Sequence, residues 1–207
     1  MQPPILQPLD WNAKFDRKDY LYGTQPAAFL RDNAGLIPAG ARALSIAEGE
    51  GRNATFLARR GCTVTAFDGA PNALEKAQKL AERNGVTLDL HHADIAVWDW
   101  DTRQYDLVVA IHWQFTPPAL RDAVFSGLGR ALKPGGRLML SGYAMAQLDH
   151  SSGGPRHPDH LYTEQLLARA FSDLTILRLA SYEKVLDEGP GHSGRSALID
   201  LIADKPS

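Results

Sequence analysis

The sequence predicts an α/β fold in which about seven strands form a single doubly wound sheet, mostly parallel, with an antiparallel strand at the C-terminal end. Short segments rich in Val, Ile and Leu recur along the chain, and most are followed by longer stretches with helical spacing. This alternation is typical of βαβ units. Near the C-terminus only turn residues separate two apolar segments, too few for a parallel crossover, and this predicts an antiparallel pair.

The individual elements follow from apolar runs bounded by Gly, Pro and Asn. The predicted strands are Arg42–Ala47, Thr63–Phe67, Thr87–His91, Leu107–Ile111, Arg137–Ser141, Leu174–Val185 and Ala197–Ala203. The predicted helices run from Arg52 to Arg60, from Pro71 to Asn84, from Pro118 to just before Pro134, and onward from Thr163. All of them fit within a single domain spanning residues 1–207.

Composition narrows the class of protein. The chain has 22 basic and 24 acidic residues and no basic run, so we expect no nucleic-acid partner. Apolar runs such as Leu107–Ile111 are far shorter than a membrane span, and Met1–Asp10 lacks the pattern of a signal peptide. We therefore expect a cytoplasmic protein without membrane contact, either a monomer or a homodimer. The only cysteine, Cys62, excludes an internal disulfide.

A glycine motif follows the first predicted strand. Gly49 and Gly51 lie at the turn before a helix, where the backbone can approach a ligand closely. Asp68 follows Gly49 by 19 residues and ends the second strand, where a carboxylate can accept hydrogen bonds from both ribose hydroxyls. The two glycines alone are as typical of an ordinary tight turn as of a ligand-binding loop. With the strand, the helix and Asp68, they predict a Rossmann-like adenosine-cofactor site that includes Gly69.

Two more strand ends are expected to border this site, because ligands of open α/β sheets bind outside the carboxyl ends of the strands. After the third strand, Asp94 can accept from the adenine amino group and Ile95 can cover the ring, although Asp94 is also a typical turn or helix cap. After the fourth strand, Ala110 and His112 are expected at the same edge.

Taken together, these segments resemble the class I S-adenosylmethionine-dependent methyltransferases, and within them the tellurite-resistance and thiopurine methyltransferase branch. The resemblance rests on the order and spacing of Trp11 with Phe15, Tyr20-Leu21-Tyr22-Gly23-Thr24-Gln25-Pro26, Glu48-Gly49-Glu50-Gly51-Arg52-Asn53, Asp68, Tyr105-Asp106 and Leu132-Lys133-Pro134-Gly135-Gly136. It implies S-adenosylmethionine as cofactor and a small-molecule substrate.

The resemblance also implies roles for flanking segments. Residues 1–35 would form a helical cover, with the faces of Trp11 and Tyr22 stabilising the sulfonium. Residues 143–162 would be a substrate-side loop, and Glu188–Arg195 a second substrate-side segment.

The chain departs from the branch's usual motif at three positions. Ser45 stands where an acid is usual, and Glu48 stands where a small residue or Cys is usual. We hypothesise that Glu48 supplies the missing carboxylate to the amino group of the cofactor. Relatives often carry His near Gln114, so a proton-transfer role there is in doubt.

Methyl transfer from a sulfonium is an in-line displacement that depends mainly on alignment. His192, Arg195 and His112 are the candidates for handling the substrate, because an imidazole takes a proton and a guanidinium binds an anion. They predict a small soft or anionic nucleophile, namely an oxyanion, a thiol or a carboxylate. The alternative is that all three residues lie in loops, face solvent and have no role in the reaction.

We expect no metal. His157 and His160 are three residues apart, but no Cys cluster or His-Glu-x-x-His motif accompanies them.

Two alternatives stay open at this point. A nicotinamide-dependent reductase would also use Gly49-x-Gly51-x-x-Ala54 and Asp68, although no Tyr is followed four residues later by Lys. A catalytically silent binding module would also retain the fold.

Overall fold

The computed structural model describes residues 10–207. Its strands are β1 (Arg42–Ile46), β2 (Thr63–Asp68), β3 (Asp89–His92), β4 (Tyr105–Ile111), β5 (Leu132–Tyr143), β6 (Thr175–Asp187) and β7 (Ser193–Asp204). Its α-helices are α1 (Trp11–Phe15), α2 (Ala28–Asp32), α3 (Arg52–Arg59), α4 (Pro71–Arg83), α5 (Pro118–Ala131) and α6 (Glu164–Ala170). Short 3-10 helices cover Ala34–Leu36, Met145–Asp149 and Pro158–His160.

The strands form one seven-stranded sheet in the order β3-β2-β1-β4-β5-β7-β6. The pairs from β3 to β5 are parallel, and β7 is antiparallel to both of its neighbours. The predicted fold class, a mostly parallel sheet with a reversed C-terminal strand, is therefore confirmed. The order also reverses between β1 and β4, so the carboxyl ends of these two strands flank the crevice where such sheets bind ligands.

Both faces of the central strands are buried, which explains their nearly continuous apolar sequence. On β1, Ala43 and Leu44 belong to separate core clusters on opposite faces of the sheet. Leu107 and Val108 divide in the same way on β4. Each fully buried aliphatic side chain of this size contributes about 1.5–3 kcal/mol to the stability of the fold.

Element boundaries differ from the predicted ones where pairing decides them. The edge strand β3 begins at Asp89, not at Thr87, because its pairing with β2 begins opposite Thr65. Strand β5 begins at Leu132, ahead of the predicted Arg137, because Leu132 pairs with Tyr105 across an irregular register.

Residues 10–35, part of the range predicted as a helical cover, contain α1, α2 and the start of a 3-10 helix. Residues 1–9 of that cover lie outside the described residues. The predicted loop 143–162 begins at the last residue of β5 and contains two 3-10 helices. Within residues 10–207, the helices are all too short or too polar to span a membrane.

Candidate functional site

A cavity of about 500 Å³ lies at the carboxyl ends of β1 to β4 and is bordered by the aromatic N-terminal segment. This volume is in the range of cofactor and small-molecule sites. Most of the predicted site residues line the cavity, namely Trp11, Tyr22, Glu48, Gly49, Asp68, Gly69, Asp94, Ile95, His112 and His192. Gly51, Ala110 and Arg195 do not line it.

The two glycines of the motif have different roles. Gly49 faces the cavity with a φ of +65°, and a Cβ atom there would meet only Phe15 within 4 Å. Gly51 has a φ of +90°, and a Cβ atom there would lie 2.6 Å from the Cα atom of Ala77. Gly51 therefore allows α3 to pack closely against α4, and contact with a ligand is left to Gly49.

Asp68 is fixed by the backbone on both sides. Its Oδ2 accepts a hydrogen bond from the Gly49 N–H at 2.8 Å, and its Oδ1 accepts one from the Ala70 N–H at 2.8 Å. Burial raises the pKa of Asp68, and these two hydrogen bonds oppose the shift. Because each carboxylate oxygen has a second lone pair, the side chain can still accept from two hydroxyl groups in the cavity.

Glu48 lines the cavity, and its side chain also makes hydrogen bonds within the protein. Its Oε1 accepts from the N–H groups of Asn53 at 3.0 Å and Ala54 at 2.9 Å, at the N-terminus of α3. Its Oε2 makes a short hydrogen bond with the hydroxyl of Ser45. Glu48 and Ser45 together cap the helix, and burial raises the pKa of Glu48 to about 7.

The side of the cavity that the sequence predicts to hold an adenine ring is formed after β3. Asp94 is exposed and accepts from the N–H of Ala96 at 2.8 Å, while Ile95 is buried beside it. Both still line the cavity, so the predicted positions next to an adenine ring are available. Ala110 is completely buried in the core, and its neighbour Ile111 takes the wall position, because successive strand residues point to opposite faces.

Aromatic residues cover the opposite side. The ring centroid of Trp11 lies 5.5 Å from that of Phe115, and the Phe15 centroid lies 6.1 Å from that of Tyr22. The ammonium of Lys14 lies 4.5 Å from the centroid of Trp11 and 5.9 Å from that of Tyr22. These two ring faces therefore already accept a cation, which is the property expected of groups next to a sulfonium.

His112 and His192 meet at the end of the cavity next to β4 and β7, with ring centroids 4.6 Å apart. The Tyr22 ring lies 4.3 Å from His192, and the Tyr143 ring lies 4.9 Å from His112. His112 has a φ of +55°, an unfavourable backbone conformation for a side chain of this size. Such strain is concentrated at functional sites.

The structure corrects the choice of cation near these histidines. Arg195 is 70% exposed and pairs with Glu183, so it points away from the cavity. The buried cation is Arg52, whose Nη1 lies 2.8 Å from Oε2 of Glu188 and donates to the backbone oxygen of Tyr22 at 3.0 Å. Sequence reasoning missed both Arg52 and Glu188 as site residues, although each lies in a motif that carried the resemblance.

Three side chains here have the atoms of a metal site. His112, Glu188 and His192 place one nitrogen or oxygen each within 4.8 Å of one another. The guanidinium of Arg52 already neutralises Glu188, so we explain this trio by substrate chemistry and not by a cation.

Gln114 has a structural role. Its amide nitrogen donates to the backbone oxygens of Tyr143 and His160, each at 2.9 Å, and its side chain is buried. These bonds hold the end of β5 against the loop that follows it.

Comparison with known proteins identifies the domain. Residues 43–136 match the family model described as a methyltransferase domain. The chain is 32% identical over 106 residues to an uncharacterized protein of Mycobacterium tuberculosis, covering 51% of this chain and 38% of the relative. It is 31% identical over 134 residues to a ubiquinone biosynthesis O-methyltransferase of Xanthomonas axonopodis. That match covers 63% of this chain and 54% of the relative. The chain thus spans about two fifths to half of these relatives.

Solved structures share the fold. TehB from Haemophilus influenzae superposes with a TM-score of 0.69 at 20% identity, covering 84% of this chain and 60% of that one. The N-methyltransferase NodS from Bradyrhizobium japonicum, in complex with S-adenosylhomocysteine, superposes with a TM-score of 0.71 at 16% identity. That match covers 95% of this chain and 97% of NodS. The predicted resemblance is confirmed at the level of domain and fold. Residues 43–136 thus resemble a methyltransferase domain, and the chain shares the Rossmann-like fold of solved methyltransferases such as NodS.

Proposed function

We propose that this protein transfers the methyl group of S-adenosylmethionine to a small molecule that attacks through a soft or negatively charged atom. One observation carries the proposal. Asp68, the backbone at Gly49, His112 and His192 all line one cavity. The first two suit an adenosine cofactor, and the two histidines suit a methyl acceptor. The order of the strands sets this arrangement, since β2 lies on one side of β1 and β4 on the other.

The residues present fit the cofactor. Asp68 has free lone pairs for the two ribose hydroxyls, and Asp94 with Ile95 borders the position of the adenine. Trp11 and Tyr22 offer ring faces to a positive charge. When bound, the cofactor supplies a methyl group attached to a sulfonium. The thioether released on transfer of this methyl group is a good leaving group.

The protein's own contribution is alignment and exclusion of water. Glu48 and Ser45 fix the first turn of α3, and Arg52 ties that turn to the N-terminal segment through the backbone of Tyr22. An acceptor between the cofactor and the two histidines would face the methyl carbon in a restricted geometry, which is the main source of rate in such a displacement. His192 and His112 are positioned to receive the acceptor's proton.

The relatives support the reaction class. The domain matched by residues 43–136 is a methyltransferase domain, one relative is named as an O-methyltransferase, and NodS was crystallised with S-adenosylhomocysteine. TehB and NodS share the fold, and their substrates are not transferred to this chain. Among the sequence alternatives, the domain match favours a methyltransferase over a nicotinamide-dependent reductase.

A methylation screen tests the proposal. The protein is incubated with S-adenosylmethionine and with tellurite, selenite, aryl thiols or small carboxylates, and S-adenosylhomocysteine is measured as the common product. We expect production above the acceptor-free rate with at least one class. A thermal-shift comparison of S-adenosylhomocysteine with NAD and NADP accompanies it, since a ligand stabilises the state that binds it. Stabilisation by NAD or NADP alone would contradict the proposal, and binding of none would favour a silent module.

A further inference from the structure

The acceptor chamber, defined as the space next to His112, His192, Tyr22 and Tyr143, contains polar atoms without partners. Among residues 10–207, the Nδ1 atoms of His112 and His192 and the hydroxyl of Tyr143 are buried and make no hydrogen bond. Oε2 of Glu188 lies 3.9 Å from Nδ1 of His192. Buried polar atoms are rarely left unpaired without a reason, and here His112 and His192 line the cavity while the Tyr143 ring packs against His112.

The nitrogen that a ligand can reach on His192 is Nε2. Nδ1 is the fully buried nitrogen, and it faces the carboxylate of Glu188. That carboxylate favours a proton on Nδ1, because an N–H group pointing at a negative charge is stabilised. Nε2 then carries the free lone pair on the side of His192 that lines the cavity.

The chamber has no net charge. Arg52 and Glu188 lie 2.8 Å apart, with 6% and 8% of their side chains exposed, so their charges cancel. Burial lowers the pKa of His112, and the neighbouring His192 lowers it further, while Glu188 opposes both effects. Burial also lowers the pKa of His192 against the pull of Glu188, with Arg52 and Lys14 adding to the decrease. Both rings are therefore neutral at pH 7.

A permanent anion fits this chamber poorly. It would lose its hydration on entry, and among the described residues that line the cavity the one Lys or Arg is Arg52, whose guanidinium is already paired with Glu188. A neutral hydroxyl or thiol would lose far less hydration and would find an unpaired imidazole nitrogen as hydrogen-bond acceptor.

We propose that the acceptor enters as a neutral, protonated hydroxyl or thiol, that its proton passes to Nε2 of His192, and that permanent oxyanions and carboxylates are not substrates. This inference rests on the proposed function and narrows its substrate class. In the reaction, a lone pair on the acceptor oxygen or sulfur forms the bond to the methyl carbon. The bond from that carbon to the sulfonium sulfur breaks, and its electron pair stays on sulfur.

The acceptor's O–H or S–H bond breaks as well, and its proton goes to the lone pair of Nε2. Positive charge thus moves from the sulfonium to the imidazole of His192. Glu188 stabilises the imidazolium that forms, because its carboxylate lies 3.9 Å from Nδ1 of the same ring.

A matched pair of probes tests the charge requirement. Benzyl mercaptan is protonated at pH 7, whereas phenylacetate carries a full negative charge on the same benzyl framework. We expect kcat/KM for benzyl mercaptan to exceed that for phenylacetate by at least about 100-fold, since desolvating an unpaired anion is costly. Comparable turnover of phenylacetate, or turnover of neither probe by protein that binds S-adenosylmethionine, would overturn the inference. Protein that fails to bind S-adenosylmethionine would instead contradict the proposed function.

The variant His192→Asn tests the proton transfer, with His91→Asn as control because His91 pairs with Asp89 on the edge strand β3 and does not line the cavity. At pH 7 we expect kcat for benzyl mercaptan to fall about 100-fold or more in His192→Asn and to be unchanged in His91→Asn. The loss should shrink as the pH falls, because protonation of His192 removes the proton acceptor from the wild type as well. A deficit of the same size at every pH, in a variant that still binds S-adenosylhomocysteine, would assign His192 a structural role and overturn the inference.

Discussion

The guanidinium of Arg52 and the carboxylate of Glu188 form a buried ion pair with an N···O distance of 2.8 Å. Arg52 opens α3 directly after the glycine motif, and Glu188 lies in the turn between β6 and β7. Glu188 also accepts a hydrogen bond from the N–H of Ala28 at 2.8 Å, and Arg52 donates to the backbone of Tyr22. The pair therefore joins the start of α3 after the glycine motif, the N-terminal segment and the C-terminal hairpin.

We expect removal of one partner to lower the free energy of unfolding strongly, and replacement of both charged groups to lower it little. Arg52→Met leaves Glu188 as an uncompensated buried charge, which should lower the free energy of unfolding by about 3–5 kcal/mol. The double variant Arg52→Met with Glu188→Gln should recover most of the loss, because neither charge then remains. Urea denaturation of the four proteins in the cycle measures this, with Arg130→Met as a control at the exposed pair with Asp101. Additive losses in the double variant would contradict the pairing.

The helix-capping role of Glu48 predicts a pH dependence. Its pKa is raised from 4.5 to about 7, so the folded state holds a proton that the unfolded state releases. This contribution to stability is fully present below pH 4.5 and is lost as the pH rises through about 7. Glu48→Gln keeps the side-chain oxygen but cannot titrate.

The free energy of unfolding of the wild type, minus that of Glu48→Gln, should therefore decrease between pH 4.5 and 7, as measured by urea denaturation. The same variant tests the hypothesised contact between Glu48 and the amino group of the cofactor, because Gln carries no negative charge, and an unchanged affinity for S-adenosylmethionine would contradict that contact. A pH-independent difference in stability would show that the cap does not titrate in this range.

The aromatic cover predicts discrimination between two ligands. Trp11→Leu should weaken S-adenosylmethionine binding by about 0.5–2 kcal/mol more than S-adenosylhomocysteine binding, because only the first carries a sulfonium. Trp11→Phe, which keeps a ring face, should retain most of the difference. Isothermal titration calorimetry with both ligands provides the comparison. Equal losses for the two ligands would mean that Trp11 packs against the cofactor without sensing its charge.

His192 and Arg195 are three residues apart, but His192 is buried at the cavity and Arg195 is exposed to solvent. Variants at the two positions should therefore differ in activity. His192→Ala should lower kcat/KM by about 100-fold or more, as expected for loss of a proton acceptor. Arg195→Ala should leave kcat/KM unchanged, since its guanidinium is 70% exposed and bound to Glu183. Steady-state kinetics on any acceptor found in the methylation screen decides this. A large loss in Arg195→Ala would mean that the side chain turns into the cavity during the reaction.

The sequence was sufficient to predict the fold and the presence of residues such as Asp68 at the cavity, since both depend on local patterns. A strand buried on both faces, such as β4, shows a continuous apolar run whatever surrounds it. Likewise, Asp68 could be placed because the length of α3 fixes where β2 ends relative to Gly49.

Side-chain direction and long-range pairing could not be predicted in this way. Arg195 is the third residue of β7 and points to solvent, while its neighbour Ser196 is completely buried, and residue type does not reveal this alternation. The partners Arg52 and Glu188 are remote in sequence and meet only when the C-terminal hairpin folds over the N-terminal segment. Gly51 and Ala110 were likewise placed at the site from motif position alone, whereas packing assigns them to the interior.

The central claim is that Asp68 holds the ribose of an S-adenosyl cofactor in this cavity, and titration of S-adenosylhomocysteine into the wild type and into Asp68→Asn tests it most directly. We predict saturable binding to the wild type and an affinity about 10–100-fold lower in Asp68→Asn, because charge-assisted hydrogen bonds become neutral ones. The exposed control Asp101→Asn should bind like the wild type. Equal affinity in Asp68→Asn, or no binding to the wild type at millimolar concentration, would contradict the account.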